Sequence, residues 1–198
     1  MLRIGMQLLA PFAISVMVAT PAWAGWKYIP AAQVSNVDGL TVIPQTEWNQ
    51  ASARPGKTGR SWTQDGFGLN VLEIFAGIDE GMPIYRERSR KRNPMPKFQS
   101  GMLLPDLADF FERSFRAQYQ VTDFEVLETV PAQFAGSNGL RVMYRYTLPD
   151  DELTRLGEVR MAIVGGELFL MNFNAPRLHY FASGIAEVEV MMEGARPN

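Results

Sequence analysis

The chain has no cysteine, a single histidine (His179) and, beyond its first two dozen residues, no long apolar run. Without cysteine there is no disulfide framework and no lipid-modified cysteine, so the fold stands on its hydrophobic core alone. One imidazole falls short of the several nitrogen or sulfur ligands that zinc prefers. No Gly-x-Ser-x-Gly turn or other activated-nucleophile signature accompanies it, so His179 reads as a packing or helix-start residue. A phosphate-cradling loop is also missing, because "GIDEG" and "AGSNG" lack the lysine and the following helix. No Met-x-Met or Met-x-x-Met spacing suggests thioether copper binding, and Met143, Met161 and Met171 fall within strand patterns as packing residues. Neither "PDDE" (Asp150, Asp151, Glu152) nor "IDEG" (Asp79, Glu80) follows a calcium-loop pattern, and both read as turn acids. No metal and no cofactor is expected.

The N-terminus does carry a signal. Arg3 precedes a mostly apolar segment, Ile4 to Val18, and "TPAWA" places Ala22 and Ala24 at the small-residue positions of an export cleavage site. Gln7 and Pro11 interrupt the apolar segment, which is shorter than the roughly 20 residues of a spanning helix. Residues 1–24 are therefore expected to be a signal peptide and residues 25–198 a single periplasmic or secreted domain, with 25–37 as an extended lead-in and no membrane span after cleavage. Removing the one basic residue of the signal leaves 18 basic against 21 acidic residues, net −3.

Against that acidic background stands "RERSRKRNPMPK", residues 86–97, with cations at Arg86, Arg88, Arg90, Lys91, Arg92 and Lys97 and one acid, Glu87. A net-acidic exported chain has the profile of neither a nucleic-acid binder nor a nuclear protein. Asn93-Pro94-Met95-Pro96 forbids a regular helix there. The run is either a solvated connection or a docking segment for an envelope protein or anionic envelope component.

Around it, hydrophobic period outlines the fold. Leu40–Ile43 is β-prone and ends at Pro44. Ser61–Gln64 and Leu69–Gly77 flank Asp65-Gly66 as a hairpin, and the second run, apolar on both faces, predicts a central strand. Pro105–Tyr119 reads as an amphipathic helix with Leu107, Phe110, Phe111 and Phe115 on one side. Strands follow at Phe124–Val130, on both sides of Ser137-Asn138-Gly139, and as a hairpin from Glu158–Val164 through Gly165-Gly166 to Glu167–Phe173. Leu140, Val142, Tyr144 and Tyr146 alternate with polar residues, predicting one buried face. A terminal helix carries Leu178, Phe181, Ile185, Val188 and Met192. The class is α+β, an antiparallel β-sheet covered by helices.

This ordering resembles the PsbP-like α/β/α sandwich, named for an extrinsic protein of photosystem II and seen also in a nuclear Ran-binding factor and in bacterial envelope proteins. "LTVIPQTEW", the helix at Pro105–Tyr119 and "GEVRMAIVGGELFLMNFNAP" carry the resemblance. More narrowly, "WTQDGFGLNVLEIFAGI", "RKRNPMPKF" and "LHYF" look like a group of small exported bacterial proteins. These are packing motifs, which speak to fold and not to chemistry. The resemblance implies an accessory or binding protein without catalysis. Two other functions stay open: a small-molecule or lipid carrier with Trp48, Trp62, Phe110 and Phe111 lining an apolar pocket, and a hydrolase working through Asp or Glu.

The export reading has a direct check. Intact mass of the protein recovered from its producing cells should correspond to a chain starting at Gly25; a mass retaining residues 1–24 would contradict it.

Overall fold

Two strands that are buried on both faces set the architecture, and the structure, a computed structural model describing residues 25–89, 91, 94–149 and 151–198, places them side by side. In chain order the elements begin β1 (Trp26–Ile29), β2 (Ser35–Val37), β3 (Leu40–Val42), β4 (Trp48–Ala51), β5 (Arg60–Thr63), β6 (Val71–Ile78) and α1 (Leu104–Tyr119). They continue with β7 (Phe124–Phe134), β8 (Ser137–Thr147), β9 (Thr154–Val164), β10 (Glu167–Pro176), α2 (Tyr180–Gly194) and β11 (Arg196–Pro197). Eight strands form one sheet in the order β1-β4-β5-β6-β10-β9-β8-β7, and β11-β3-β2 form a small second sheet. Every neighbouring pair of the large sheet is antiparallel.

Because β6 and β10 bury side chains on both faces, each face needs a cover. On one face Leu140, Val142, Tyr144, Tyr146, Met161, Leu168 and Leu170 meet Phe110, Phe111 and Phe115 of α1. On the other Leu72, Ile74, Met171 and Phe173 meet Phe181, Val188 and Met192 of α2, with Val37, Leu40 and Val42 of the small sheet. The antiparallel sheet between two helices is the expected α+β sandwich. Each of the three α1 phenylalanines is fully buried, worth about 1.5–3 kcal/mol apiece against exposure.

Helix α1 starts with Pro105 in its first turn, and Asp106 turns back to accept the Leu103 N–H at 2.9 Å. Its last turn is tied by Arg116, which pairs with Glu112 at 2.8 Å and donates to the Thr122 and Phe124 carbonyls at 2.7 and 2.9 Å. On the far side, Arg160 pairs with the fully buried Glu158 at 2.9 Å and reaches Glu189 and Glu193 of α2 at 3.6 Å. Glu187 of α2 accepts from the Trp48 indole (3.1 Å), the Thr46 N–H (2.9 Å) and the Gln64 amide (2.9 Å).

Several expectations are refined. The segment 25–37 is paired: β1 is an edge strand of the large sheet, a turn follows at Ala31-Ala32, and β2 belongs to the small sheet. The β7–β8 turn lies at Ala135-Gly136, both with positive φ (51° and 75°), and Ser137-Asn138-Gly139 already belong to β8. Leu178 precedes α2 and is exposed, because the helix begins at Tyr180. The β7 edge, exposed along most of its length, is broken by Pro131 and a register shift between Val126 and Glu128, which makes it a poor template for another strand.

Gly157 illustrates how the first core is packed. A Cβ there would enter the ring of Tyr144, and that ring cannot withdraw: it is stacked on Phe124 with centroids 4.8 Å apart, and its hydroxyl donates to Asn172 at 2.6 Å. Gly157→Ala should therefore destabilise the protein by about 1–3 kcal/mol, as overpacking does. Urea unfolding measures this, and an unchanged midpoint would show that the ring has room to move.

Candidate functional site

The connection between β6 and α1 carries the basic run. Ile84, Tyr85, Met95 and Phe98 are buried along it and pin it from beneath, and main-chain bonds fix its path: Gly81 N–H to Phe98 O (2.8 Å), Phe98 N–H to Met82 O (2.9 Å) and Arg86 N–H to Pro55 O (2.8 Å). Both ends of the run are thus tied to the body of the protein. With its apolar side chains facing in, Arg86, Arg88, Lys91 and Lys97 are left exposed. Arg90 and Arg92 lie outside the described residues. Glu87 is turned inward at 11% side-chain exposure, accepting the Met95 N–H at 3.2 Å and pairing with Lys97 at 3.3 Å.

Many arginines elsewhere hold a carboxylate: Arg54 and Arg60 share Asp38 at 2.9 and 3.1 Å, Arg141 and Arg160 flank Glu158, and Arg155 holds Asp151 at 3.1 Å. Among the described residues Arg86, Arg88 and Lys91 form no ion pair. Arg86 borders two hollows, and Arg88 one of them. The larger, about 710 Å³, is lined by Lys57, Gly81, Met82, Pro83, Tyr85, Arg86, Glu87 and Lys97. The smaller, about 230 Å³, lies between Arg86, Arg88, Ser89 and Met95 and the end of α1 at Ala117, Gln118 and Gln120.

Below the larger hollow sits a buried carboxyl. Tyr85 lines the hollow, and its hydroxyl donates to Glu73 of β6 at 2.7 Å. Tyr119 of α1 donates to the other oxygen at 2.7 Å, and the Asn172 amide of β10 donates at 3.0 Å. Burial raises the Glu73 pKa against the opposing pull of these three donors. Burial, and next to it the charge of Glu73, pushes the Tyr85 and Tyr119 hydroxyls well above their ordinary range, so both stay protonated donors. Sheet, basic segment and helix α1 are thereby tied at one point.

The other sequence candidates lie apart. Trp48 and Trp62 are fully buried under α2, with ring centroids 6.4 Å apart, whereas Phe110 and Phe111 are fully buried under α1. The sheet lies between the two pairs, so the four line no common pocket. Each is committed to a core, because strand alternation sends Trp48 and Trp62 to the face opposite α1. His179 is exposed at the α2 N-cap, makes no side-chain cap bond, and sets its ring edge-on to Tyr180 at 5.1 Å. It marks the helix start without packing into the core. Asp79 and Glu80 are exposed turn acids, meeting Lys57 and Ser100 respectively. The Leu153 N–H, and then Arg155, hold the Asp151 carboxyl below its usual range, and Asp150 lies outside the described residues.

Three residues of this region were not singled out from sequence. Glu73 had a signal, since it is the one acid in the apolar run "NVLEIFAGI". Lys57 had almost none, being one of three cations in "ASARPGKTGR". Tyr85 was hidden beside the charge run that drew attention away from it.

No family model and no curated protein matches the chain. In fold it is similar to cyanobacterial PsbP (CyanoP) from Synechocystis sp. PCC 6803, with a TM-score of 0.51 and 13% identity over 96% of this chain and 100% of that one. LpqN of Mycobacterium tuberculosis, involved in cell envelope biogenesis, aligns more loosely, with a TM-score of 0.33 and 8% identity over 86% of this chain and 90% of that one. The protein therefore has the PsbP-like fold.

The Glu73 pKa has a consequence for stability. A folded-state pKa above the unfolded value means that the protonated carboxyl favours the fold. That contribution is complete below the unfolded pKa of about 4.3 and is lost as pH rises through the raised folded value. Glu73→Gln removes the titration, so the difference in melting temperature between parent and variant should shift against the parent between about pH 4 and neutrality. Parallel pH profiles would show that Glu73 does not titrate in that window.

Proposed function

We propose that this chain is an exported, non-enzymatic accessory protein of the bacterial periplasm or envelope that binds an anionic partner through residues 86–97. The observation that carries this reading is the state of Arg86, Arg88 and Lys91. They are exposed and, among the described residues, meet no carboxylate, on a protein whose other arginines are largely paired, and buried Ile84, Tyr85, Met95 and Phe98 anchor the segment on either side of them. An acidic protein has no general reason to adhere to anions, so a fixed cluster of free cations is best understood as a docking surface. The PsbP-like fold and the export pattern at the N-terminus are consistent with such a role.

Changing Arg86, Arg88 and Lys91 together to Ser removes three charges and touches no core side chain. The melting temperature should move by no more than about 6 °C, since three surface substitutions within about ±0.5 kcal/mol each total about 1.5 kcal/mol at most, at about 2–4 °C per kcal/mol. Association with acidic vesicles or acidic polymers, measured at low ionic strength, should fall roughly 10- to 100-fold, at up to ~1 kcal/mol per cation near an anionic surface. Added salt should weaken the parent's binding steeply. If the parent binds no anionic surface in a salt-dependent way, the segment is a solvated connection and the proposal fails.

A further inference from the structure

We infer that the larger hollow is a head-group site for an anionic phospholipid at a membrane surface, with Lys57 completing the set of cations that the basic run begins. The inference rests on the docking reading above and names its partner.

Lys57 belongs to the loop before β5, more than 25 residues away from the basic run in sequence. Arg54 and Arg60, its two basic neighbours in that loop, are both held by Asp38, which also accepts the Gly59 N–H at 2.7 Å. Lys57 is thus the loop's remaining cation, and the Arg86 N–H to Pro55 O bond holds the loop against the basic segment. Lys57, Arg86 and Lys97 then line one hollow. The contacts of Lys57 with Asp79 (3.4 Å) and of Lys97 with Glu87 (3.3 Å) are long, and both lysines are more than 40% exposed. Such pairs are weak and can yield to a phosphate. Among the described residues Arg86 meets no carboxylate, and its guanidinium can hold two phosphate oxygens at once.

The rest of the lining argues for an amphiphile. Met82 and Pro83 are half-buried beside the cations, and the fully buried Tyr85 backs the hollow. A free phosphate or a soluble polyanion gains nothing from these groups, whereas a phospholipid places its phosphate and its glycerol-acyl junction next to each other. The volume of about 710 Å³ is of the size that accepts a small organic group, ample for a head group while the chains remain in the bilayer. The chain is net acidic, 18 basic against 21 acidic residues after position 24, so approach to an anionic bilayer is favoured where cations cluster, as they do here.

The test is sedimentation of the protein, purified from its producing cells with its N-terminus defined by intact mass, against phosphatidylglycerol vesicles, phosphatidylcholine vesicles and soluble polyphosphate. The parent should bind phosphatidylglycerol vesicles and not phosphatidylcholine. Lys57→Gln should weaken that binding about five-fold with the melting temperature unchanged. Met82→Gln should weaken binding to the vesicles and leave binding to polyphosphate as it was. Binding of polyphosphate without binding of phosphatidylglycerol vesicles would overturn the lipid assignment and leave the docking surface standing. Vesicle binding that is lost on changing Arg86, Arg88 and Lys91 but unmoved by both Lys57→Gln and Met82→Gln would overturn the hollow as the site. Binding to neither anion would end both readings.

Discussion

Two adjacent strands with no face to spare, β6 and β10, are the constraint from which the rest of the structure follows. Leu72, Ile74 and Ala76 point one way and Phe75 and Ile78 the other, and in β10 Met171 and Phe173 oppose Leu168 and Leu170. A sheet with such a centre cannot leave either side to water, so one helix must lie on each face. The chain meets this demand with α1, inserted between β6 and β7, and α2, which follows directly after β10. The long connection that carries α1 to its face is the segment on which the basic run sits, so the position of the candidate site is a by-product of covering the sheet.

Each helix is also anchored by a carboxylate set into the sheet. Glu73 on one face gathers hydroxyls from the connection and from α1; Glu158 on the other lies between Arg141 and Arg160, and Arg160 reaches on to α2. Buried ion pairs and carboxyls add little net stability compared with apolar groups of the same shape, because desolvation offsets the attraction. What they fix is geometry. Each has partners in one arrangement only, so a helix that slid along the sheet would leave a buried charge unpartnered. Tyr85 extends this logic toward the surface: it is fully buried beneath the hollow, and its hydroxyl is held by Glu73. The cations that follow it in sequence inherit a fixed starting point.

Much of the fold could be read in the sequence because the signals were local. Alternation in Leu140–Tyr146 identified a strand buried on one face, the apolar run at Leu69–Gly77 a central strand, found at Val71–Ile78, Gly165-Gly166 a hairpin turn, and the Phe110, Phe111, Phe115 spacing a helix face. Where the reading slipped, two local signals competed. Asn138-Gly139 looks like the tight turn, but Ala135-Gly136 forms it, since the pairs from Glu128–Met143 to Phe134–Ser137, beyond the register shift, leave those two residues to close the hairpin. Leu178 fits the helical period of α2 and yet precedes the helix.

The sequence by itself determined the class of fold, the acidic balance of the chain and the place of one basic segment within it, because period and charge are properties of neighbouring residues. Tertiary structure alone decided which cations are free, which face each tryptophan serves, and what surrounds Glu73. Arg54 and Arg60 look no different from Lys57 until Asp38 arrives from another loop to neutralise two of the three. Trp48 and Trp62 look available beside Phe110 and Phe111 until the sheet separates them. Glu73 looks like a flaw in an apolar strand until Asn172, 99 residues later, pairs beside it. Such facts depend on pairing between segments distant in the chain, and no local pattern of residues encodes a partner that only folding brings within 3 Å.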